Sequence, residues 1–256
     1  MAEYALRQSA DPIGEVERLV RIETFQDPAT IRYLQALGVG GGWRCLDVGA
    51  GGGSITRWLA AQVGPSGSVL ATDLEIGLLR AVEGPTVEVR CHDIRCDPLP
   101  FTAFDLVHAR LLLLHLPERR DVLRRMVAAT RPEGWVVIGD IDFTTARAAR
   151  SSLAFGRVTT AFNQVMPTLG WDPALGSKLP TMLENTGLRA VEADCYQNYH
   201  RGGSPWSAIF AGTVRRLRDS LLEAVSESDL DEVIELFDDP SFAFYSPTIW
   251  TAWGRV

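Results

Sequence analysis

The stretch LDVGAGGGS, residues 46–54, decides the fold of this chain. Its first residues end an apolar run that is typical of a strand, and residues 55–61 after it have helical character. Glycines at positions 49, 51 and 53 leave the intervening turn without side chains, so a ligand can lie against bare backbone and face the N–H groups at the helix start. The sequence therefore predicts a nucleotide-like ligand at this turn.

Two features of the turn distinguish among nucleotide-like ligands. A dinucleotide-binding loop, G-x-G-x-x-G, needs its third glycine at position 54, where this chain has Ser54, and Asp47 stands two residues before the first glycine. A carboxylate at that place opposes a pyrophosphate and favours a ligand with a cationic end. S-adenosylmethionine, which carries an ammonium and a sulfonium and no phosphate, has this character.

Acidic residues also end the next two predicted strands. The second strand, residues 67–73, ends at Asp73, twenty residues after Gly53, which is close to the ribose-binding spacing of a βαβ unit. We expect Asp73 to bind both ribose hydroxyls through charge-assisted hydrogen bonds. The third strand, residues 87–94, presents Asp93 near its end.

The order of these motifs resembles that of the class I S-adenosylmethionine-dependent methyltransferases. The pattern D-x-G-x-G-x-G at residues 47–53 is similar to their motif I. The phrase FDLVHARLLLLHLPERRDVLRRMVAATRPEGWVVIGDID, residues 104–142, is similar to their post-motif and motif III region. The resemblance covers about residues 39–143 and points to bacterial small-molecule and quinone-type members. It implies S-adenosylmethionine as the cofactor and S-adenosylhomocysteine as the product.

The resemblance implies a cofactor site at the carboxyl ends of the first four strands. Asp93 accepts a hydrogen bond from the adenine amino group in this pattern, and Ile94 packs beside the base. The predicted cofactor-binding residues are Asp47, Gly49, Ala50, Gly51, Gly53, Asp73, Leu74, Asp93, Ile94 and Ala109. Taken singly, such glycines and acids also have structural alternatives as packing positions, helix caps or turns.

The alternation of strands and helices predicts one α/β domain over residues 1–256. We expect a doubly wound, mostly parallel seven-stranded sheet of the Rossmann-like methyltransferase type, with N-terminal helices and with helical insertions after strands five and six. An N-terminal helical cap occupies residues 1–38, and the S-adenosylmethionine-binding core occupies residues 39–143. A C-terminal part with helical insertions that cap the substrate occupies residues 144–256.

Boundaries within these parts follow from prolines, glycines and apolar periodicity. Pro12 and Pro28 indicate the starts of two N-terminal helices. A helix is predicted at residues 117–130, a sixth strand at about 188–199 and a closing strand at 242–256.

Aromatic residues of the two flanks predict a pocket for an apolar or flat acceptor. If the N-terminal helices lie over the substrate opening, then Tyr4, Phe25 and Gln26 are lid or wall residues, and plain packing against the sheet is the alternative. In the C-terminal insertions, core packing is again the alternative to a pocket wall. The aromatic residues in question there are Phe155, Phe162, Trp171, Trp206 and Phe210.

Methyl transfer needs a base only when the acceptor must lose a proton, so the chemistry depends mainly on positioning. Candidate bases stand where predicted strands end: His108, Asp142 and, third, His115. Histidine titrates near neutrality and suits the role, although packing is the alternative for both histidines. Tyr199 and His200 are further options.

Composition limits the partners of the chain. The net charge is −7 and no basic stripe is present, which disfavours nucleic acid. No apolar run approaches a membrane span, and no secretory signal precedes the first elements, so a cytoplasmic protein is expected.

The basic residues are almost all arginine, which suggests a bacterium with a GC-rich genome. The four cysteines lack C-x-x-C spacing, and no metal site is predicted, although magnesium at Asp140 and Asp142 stays open.

The leading hypothesis is a methyltransferase acting on a small, apolar or aromatic metabolite of secondary metabolism or of the quinone type. One alternative is an enzyme on this fold that binds S-adenosylmethionine structurally and catalyses a non-methyl reaction such as a cyclisation. Another is a regulatory protein that senses S-adenosylmethionine. A homodimer, the methylated atom and the use of a base are left open.

Overall fold

The computed structural model describes residues 12–256, so Tyr4 lies outside the described part. The first described element is one long helix, α1 (Pro12–Ala36). The prediction of a second helix start at Pro28 is wrong, because Pro28 lies inside α1. Proline lacks the N–H that the helix interior uses. The side chains of Asp27 and Thr30, on either side of Pro28, both bind Arg110 and so hold the two halves of α1 in line.

The predicted core forms five strands and two helices in the expected order. These are β1 (Arg44–Val48), α2 (Ser54–Val63), β2 (Ser68–Asp73), β3 (Val87–Cys91), β4 (Phe104–Arg110), α3 (Arg119–Ala129) and β5 (Thr130–Asp142). Strand β5 contains an irregular stretch at residues 131–134, near its start. There Glu133 has a φ of +66°, and the register with β4 shifts between Phe104 and Leu106.

The second half of the chain adds helices and short strands. In chain order they are β6 (Arg147–Ala148), α4 (Leu153–Val165), α5 (Leu175–Glu184), β7 (Arg189–Tyr196), β8 (Tyr199–Arg201), α6 (Pro205–Arg216), α7 (Arg218–Leu221), α8 (Glu227–Asp238), β9 (Ala243–Tyr245) and β10 (Thr248–Arg255). The predicted sixth and closing strands are each divided in two. They divide because their outer parts leave the main sheet and pair in a small sheet of order β6-β9-β8.

The main sheet has seven strands in the order β3-β2-β1-β4-β5-β10-β7. The first five strands of the chain are parallel, and β10 pairs antiparallel with both β5 and β7. This confirms the predicted doubly wound, mostly parallel sheet. Strand order reverses at β1, which lies between β2 and β4, so the crevice for a ligand opens at the carboxyl ends of these strands.

Two separate hydrophobic cores form beside this sheet framework. One packs helices against both faces of the sheet, with buried residues such as Leu46, Val107 and Ile138. The other belongs to what we call the cap, which consists of α4, α6, α7, α8 and the small sheet. Its core contains Phe155 and Phe162, as well as Phe237 and Phe244. Of the helices in residues 12–256, none combines the length and the apolar character needed to cross a bilayer.

Candidate functional site

The glycine turn between β1 and α2 bends through left-handed backbone at three residues. The φ values are +69° at Gly49, +58° at Gly51 and +80° at Gly53, a region that side chains disfavour. A Cβ placed on Gly49 or Gly53 would crowd neighbouring leucine or valine side chains, whereas at Gly51 only Leu19 lies within van der Waals distance. The open side of the turn is therefore at Gly51.

Within the turn itself, four backbone N–H groups donate to partners in the protein. Gly49 and Ala50 both donate to the carbonyl oxygen of Thr72, at 2.8 and 3.0 Å. Gly51 donates to Asp73 Oδ2 at 2.9 Å, and Gly53 donates to the carbonyl oxygen of Ala50. A ligand can therefore approach the backbone of the turn closely, but these four N–H groups already have partners.

The carboxylate of Asp47 is buried and bonded on both oxygens within the protein. Oδ1 lies 2.8 Å from Nδ1 of His108, and Oδ2 accepts a hydrogen bond of 2.6 Å from Thr56 on α2. Both Asp47 and His108 are 2% exposed. The structure thus places Asp47 and His108 in contact with each other in the interior, and a cofactor role for Asp47 and a base role for His108 stay predictions. The parallel register sets Asp47 beside His108, and their side chains pair beneath α2.

Asp73, at the end of β2, is half-buried and joins the strand end to the glycine turn. Besides accepting from Gly51, it accepts at Oδ1 from the backbone N–H of Glu75 at 3.1 Å. A carboxylate oxygen has a second lone pair, so each oxygen can accept a further hydrogen bond. Leu74 follows at the same edge, and its carbonyl oxygen accepts from the Cys91 thiol.

Asp93 lies after β3, where Arg95 binds its carboxylate through several hydrogen bonds of 2.7 to 3.2 Å. The Arg95 guanidinium holds the pKa of Asp93 at about 2, well below its ordinary value. Most of the lone pairs of Asp93 are thus taken by Arg95. Ile94 and Ala109 are buried under the same edge, at 6% and 0% exposure.

Helix α1 brings two further carboxylates to the glycine turn. Glu23 lies so close to Gly52 that a Cβ on that glycine would clash with Oε1, and its carboxylate accepts from the backbone N–H of Ser54. Asp27 accepts from the Ser54 hydroxyl at 3.1 Å and from Arg110 at 2.8 Å. Burial, and then the charge of Asp27, raise the pKa of Glu23.

Sequence reasoning missed Glu23 and Asp27 as site residues. Both lie in the segment predicted to be a lid, and their i, i+4 spacing puts two acids on one helix face. That spacing could have indicated Glu23 and Asp27 as a pair of acids facing the same neighbour. Which side of α1 faces the turn, however, depends on contacts with α2 and β4.

The remaining candidate bases have structural partners. Asp142 Oδ1 accepts from the backbone N–H and the hydroxyl of Thr144, at 3.0 and 2.5 Å, and so caps a short helical turn. The imidazole of His115 is half-buried and packs edge-on against Trp171, with ring centroids 4.1 Å apart. The structure does not bring His108, His115 and Asp142 together as one catalytic group.

Asp140, one pleat from Asp142, is 1% exposed and supports the turn before α3. It accepts from the backbone N–H of Leu114 at 3.0 Å. Burial raises the pKa of Asp140 to about 8.

The predicted wall residues Phe25 and Gln26 of α1 lie where this helix meets α6 and β8. The ring of Phe25 packs on Trp206, with centroids 4.7 Å apart, and edge-on against His200 at 6.1 Å. Trp206 also contacts Phe210. Tyr199, by contrast, is exposed and contacts Tyr245 of the small sheet.

The predicted cofactor residues thus share the carboxyl edge of four adjacent strands. The amino-acid sequence of this region is similar to that of known methyltransferases. A family model described as a methyltransferase domain matches residues 46–138. Methyltransferase str2 of Strobilurus tenacellus is 34% identical over 146 residues, which cover 55% of this chain and 51% of that protein. Methyltransferase GfsG of Streptomyces halstedii is 30% identical over 194 residues, which cover 72% of this chain and 63% of that protein.

A third relative is the ubiquinone/menaquinone biosynthesis C-methyltransferase UbiE of Pseudomonas fluorescens. It is 27% identical over 145 residues, 54% of this chain and 55% of that protein. This chain therefore spans about half to three fifths of the length of these relatives.

The fold agrees with these matches. It is similar to phosphoethanolamine N-methyltransferase 2 of Haemonchus contortus, solved with phosphomonomethylethanolamine and S-adenosylhomocysteine, with a TM-score of 0.55 and 16% identity. That likeness covers 90% of this chain and 53% of the other. Residues 46–138 thus match a methyltransferase domain, and the sheet has the Rossmann-like topology of the methyltransferase fold.

Proposed function

We propose that this chain binds S-adenosylmethionine at the carboxyl edge of β1, β2 and β3 and methylates a small, apolar or aromatic acceptor. The observation that carries the proposal is the negative charge at the glycine turn. Glu23, Asp27 and Asp73 set three carboxylates around Gly51 and Ser54. A pyrophosphate is repelled there, whereas a ligand with an ammonium and a sulfonium is attracted.

The residues of the turn fit such a ligand. Asp73, which lies beside the glycine turn through its hydrogen bonds with Gly51 and Glu75, binds the ribose hydroxyls through charge-assisted hydrogen bonds. Glu23 takes the place that the sequence had suggested for Asp47 and pairs with the ammonium. Ile94 and Leu74 supply apolar contact for the base. When bound, S-adenosylmethionine supplies an electrophilic methyl group.

The acceptor lies on the other side of Arg110, where α1, α6 and the end of β5 meet. Aromatic and aliphatic side chains dominate this region, namely Phe25, Leu111, Ile141, Trp206, Ile249 and Phe210. An apolar or flat molecule fits such surroundings. The relative UbiE, whose name places it in ubiquinone and menaquinone biosynthesis, supports an acceptor of this kind. The net charge of −7 and the lack of a basic stripe in the sequence also favour such an acceptor over nucleic acid.

Calorimetry tests the cofactor part of the proposal. The protein should bind S-adenosylmethionine and S-adenosylhomocysteine and should not bind NAD⁺. Glu23→Gln should weaken S-adenosylmethionine about tenfold, because it removes a charged partner of the ammonium. Glu17→Gln, an exposed acid of the same helix, is the matched control and should leave the affinity unchanged.

Mass spectrometry of candidate acceptors tests the reaction. Methyl transfer requires S-adenosylhomocysteine to appear together with an acceptor heavier by one methylene unit. Binding without loss of the methyl group would instead support a non-methyl reaction or a sensing role. Binding of NAD⁺ in place of S-adenosylmethionine would overturn the proposal.

A further inference from the structure

Several buried side-chain polar atoms have no hydrogen-bond partner within residues 12–256. Five of these atoms belong to residues of α1, β7, β8 and α6. They are Nε2 and Oε1 of Gln26, the hydroxyl of Tyr196, Nε2 of His200 and Nε1 of Trp206. We call these four residues the polar cluster. Gln26 is 1% exposed and Trp206 is 3% exposed. Buried polar groups in proteins nearly always have partners, so these atoms point to one that the polypeptide does not supply.

Two rings of the polar cluster, those of His200 and Trp206, lie close together. The His200 and Trp206 centroids are 5.6 Å apart, and Phe25 contacts both rings. His200 comes from β8 and Trp206 from the first turn of α6, so two elements of the cap meet α1 here. Burial lowers the pKa of His200 to about 4. The imidazole is therefore neutral at pH 7, and Nε2 can donate or accept.

Strand register brings Tyr196 to the same place. Ile141, Ile249 and Tyr196 form one row across β5, β10 and β7. Trp206 packs with Ile141 and Ile249, and Tyr196 and Phe25 pack against this group. Tyr196 thus lies on the face that α1 and α6 cover. Burial raises the pKa of Tyr196 to about 12, so its hydroxyl keeps its proton.

The turn of α1 that contains Gln26 is also fixed in place. Arg110, at the end of β4, donates to the Thr30 hydroxyl at 3.2 Å. Gln26 lies one helical turn before Thr30, whose hydroxyl donates back to the carbonyl oxygen of Gln26. Gln26 also directly follows Phe25, which packs on Trp206. The turn of α1 that contains Gln26 is therefore held between Arg110 and the cap.

The surroundings of the polar cluster are apolar. Phe210 contacts Trp206, and Phe244 contacts His200. Both phenylalanines also line an apolar cavity of about 50 Å³ in the cap. A partner for the polar cluster must therefore donate and accept hydrogen bonds at one end and be apolar elsewhere. A hydroxyl group on an aromatic body meets both requirements.

We propose that Gln26, Tyr196, His200 and Trp206 recognise the hydroxyl group of a hydroxyaromatic acceptor, with Phe25 of α1 against its ring. This inference rests on the proposed function and makes the acceptor class specific. His200 and Trp206 are specificity-determining residues that bind the hydroxyl. The aromatic body of the acceptor extends toward Ile141 and Ile249.

Equilibrium dialysis with 2-naphthol and 2-methoxynaphthalene tests this proposal, in the presence of S-adenosylhomocysteine. The two probes share their rings, but only 2-naphthol can donate a hydrogen bond. The wild-type protein should bind 2-naphthol about tenfold more tightly. His200→Phe keeps a ring in place and removes Nε2, so the ratio of the two affinities should fall toward one. Trp206→Phe should lower the ratio as well.

Tyr245→Phe, which removes a hydroxyl from the neighbouring strand of the small sheet, is the matched control and should keep the preference for 2-naphthol. Calorimetry with S-adenosylhomocysteine on every variant reports whether the cofactor site is intact. If S-adenosylhomocysteine binds and 2-naphthol shows no preference, or His200→Phe keeps the preference, the recognition of a hydroxyl is overturned and the proposed function stands. If S-adenosylhomocysteine fails to bind the wild-type protein, the proposed function itself fails.

Discussion

At the scale of single residues, the acids of this chain divide into structural and ligand-facing groups. Asp47 pairs with His108 and Thr56 in the interior, and Asp142 caps a turn through Thr144. Asp73 and Glu23 are partly exposed and lie at the glycine turn. The same residue type is thus enclosed in the interior at one strand end and partly exposed at the next.

Asp47→Ala should lower the free energy of unfolding by about 2 to 4 kcal/mol. The substitution leaves His108 Nδ1 and the Thr56 hydroxyl buried without partners, and each orphaned group costs about 1 to 3 kcal/mol. Urea denaturation measures the loss. Asp47→Asn keeps one acceptor and should lose less. A variant that unfolds like the wild type but no longer binds S-adenosylmethionine would show instead that Asp47 contacts the cofactor.

At the scale of elements, α1 connects the cofactor edge to the acceptor region. Glu23 reaches the glycine turn, Asp27 and Thr30 bind Arg110, and Phe25 packs on Trp206. Further along, Tyr33 donates to Asp194 at 2.8 Å. A single helix therefore contacts both the glycine turn and the aromatic residues of α6.

Arg110→Ala should loosen α1 without unfolding the sheet. The ion pair between Arg110 and Asp27 is largely buried, with side chains 12% and 21% exposed, so its loss should cost about 1 to 3 kcal/mol. Hydrogen exchange followed by mass spectrometry should show faster exchange in α1 and unchanged exchange in α3.

Arg32→Ala is the matched control on the same helix. Its pair with Asp194 is exposed, at 66% and 52%, and exposed pairs contribute little. Equal exchange of α1 in Arg110→Ala and in the wild type would show that Arg110 does not hold the helix.

At the scale of the whole molecule, two hydrophobic cores meet at the site. The sheet core supports the cofactor edge, and the aromatic core of the cap supports the acceptor region. Phe143, directly after β5, packs against both. The sheet and the cap thus each have buried hydrophobic residues of their own.

Phe244→Ala should destabilise the cap more than the sheet. Phe244 is 1% exposed and contacts four other phenylalanine rings of the cap, so truncation should cost about 3 to 5 kcal/mol. Hydrogen exchange should rise in α4 and α8 and stay low in β1 and β4. Phe244→Leu, which retains more of the volume, should show a smaller effect. An equal rise in every element would mean that the two cores unfold as one unit.

The amino-acid sequence by itself determined the strand order along the chain, the glycine turn, the acids that end β2 and follow β3, and hence the fold class. These features are local, because glycine spacing, apolar periodicity and strand-end residues act within a few positions. The continuity of α1 through Pro28 could not be predicted from neighbouring residues in the sequence. It depends on Asp27 and Thr30 of α1 binding Arg110, which lies at the end of β4.

Only the tertiary structure decided which acids can face a ligand. Asp47 and His108 are sixty-one residues apart, and the register of β1 against β4 makes them partners in the interior. Glu23 reaches the glycine turn because α1 packs across α2, and the polar cluster forms because α1, β7, β8 and α6 converge. The direction of a side chain depends on its neighbours in space, which periodicity along the chain does not specify.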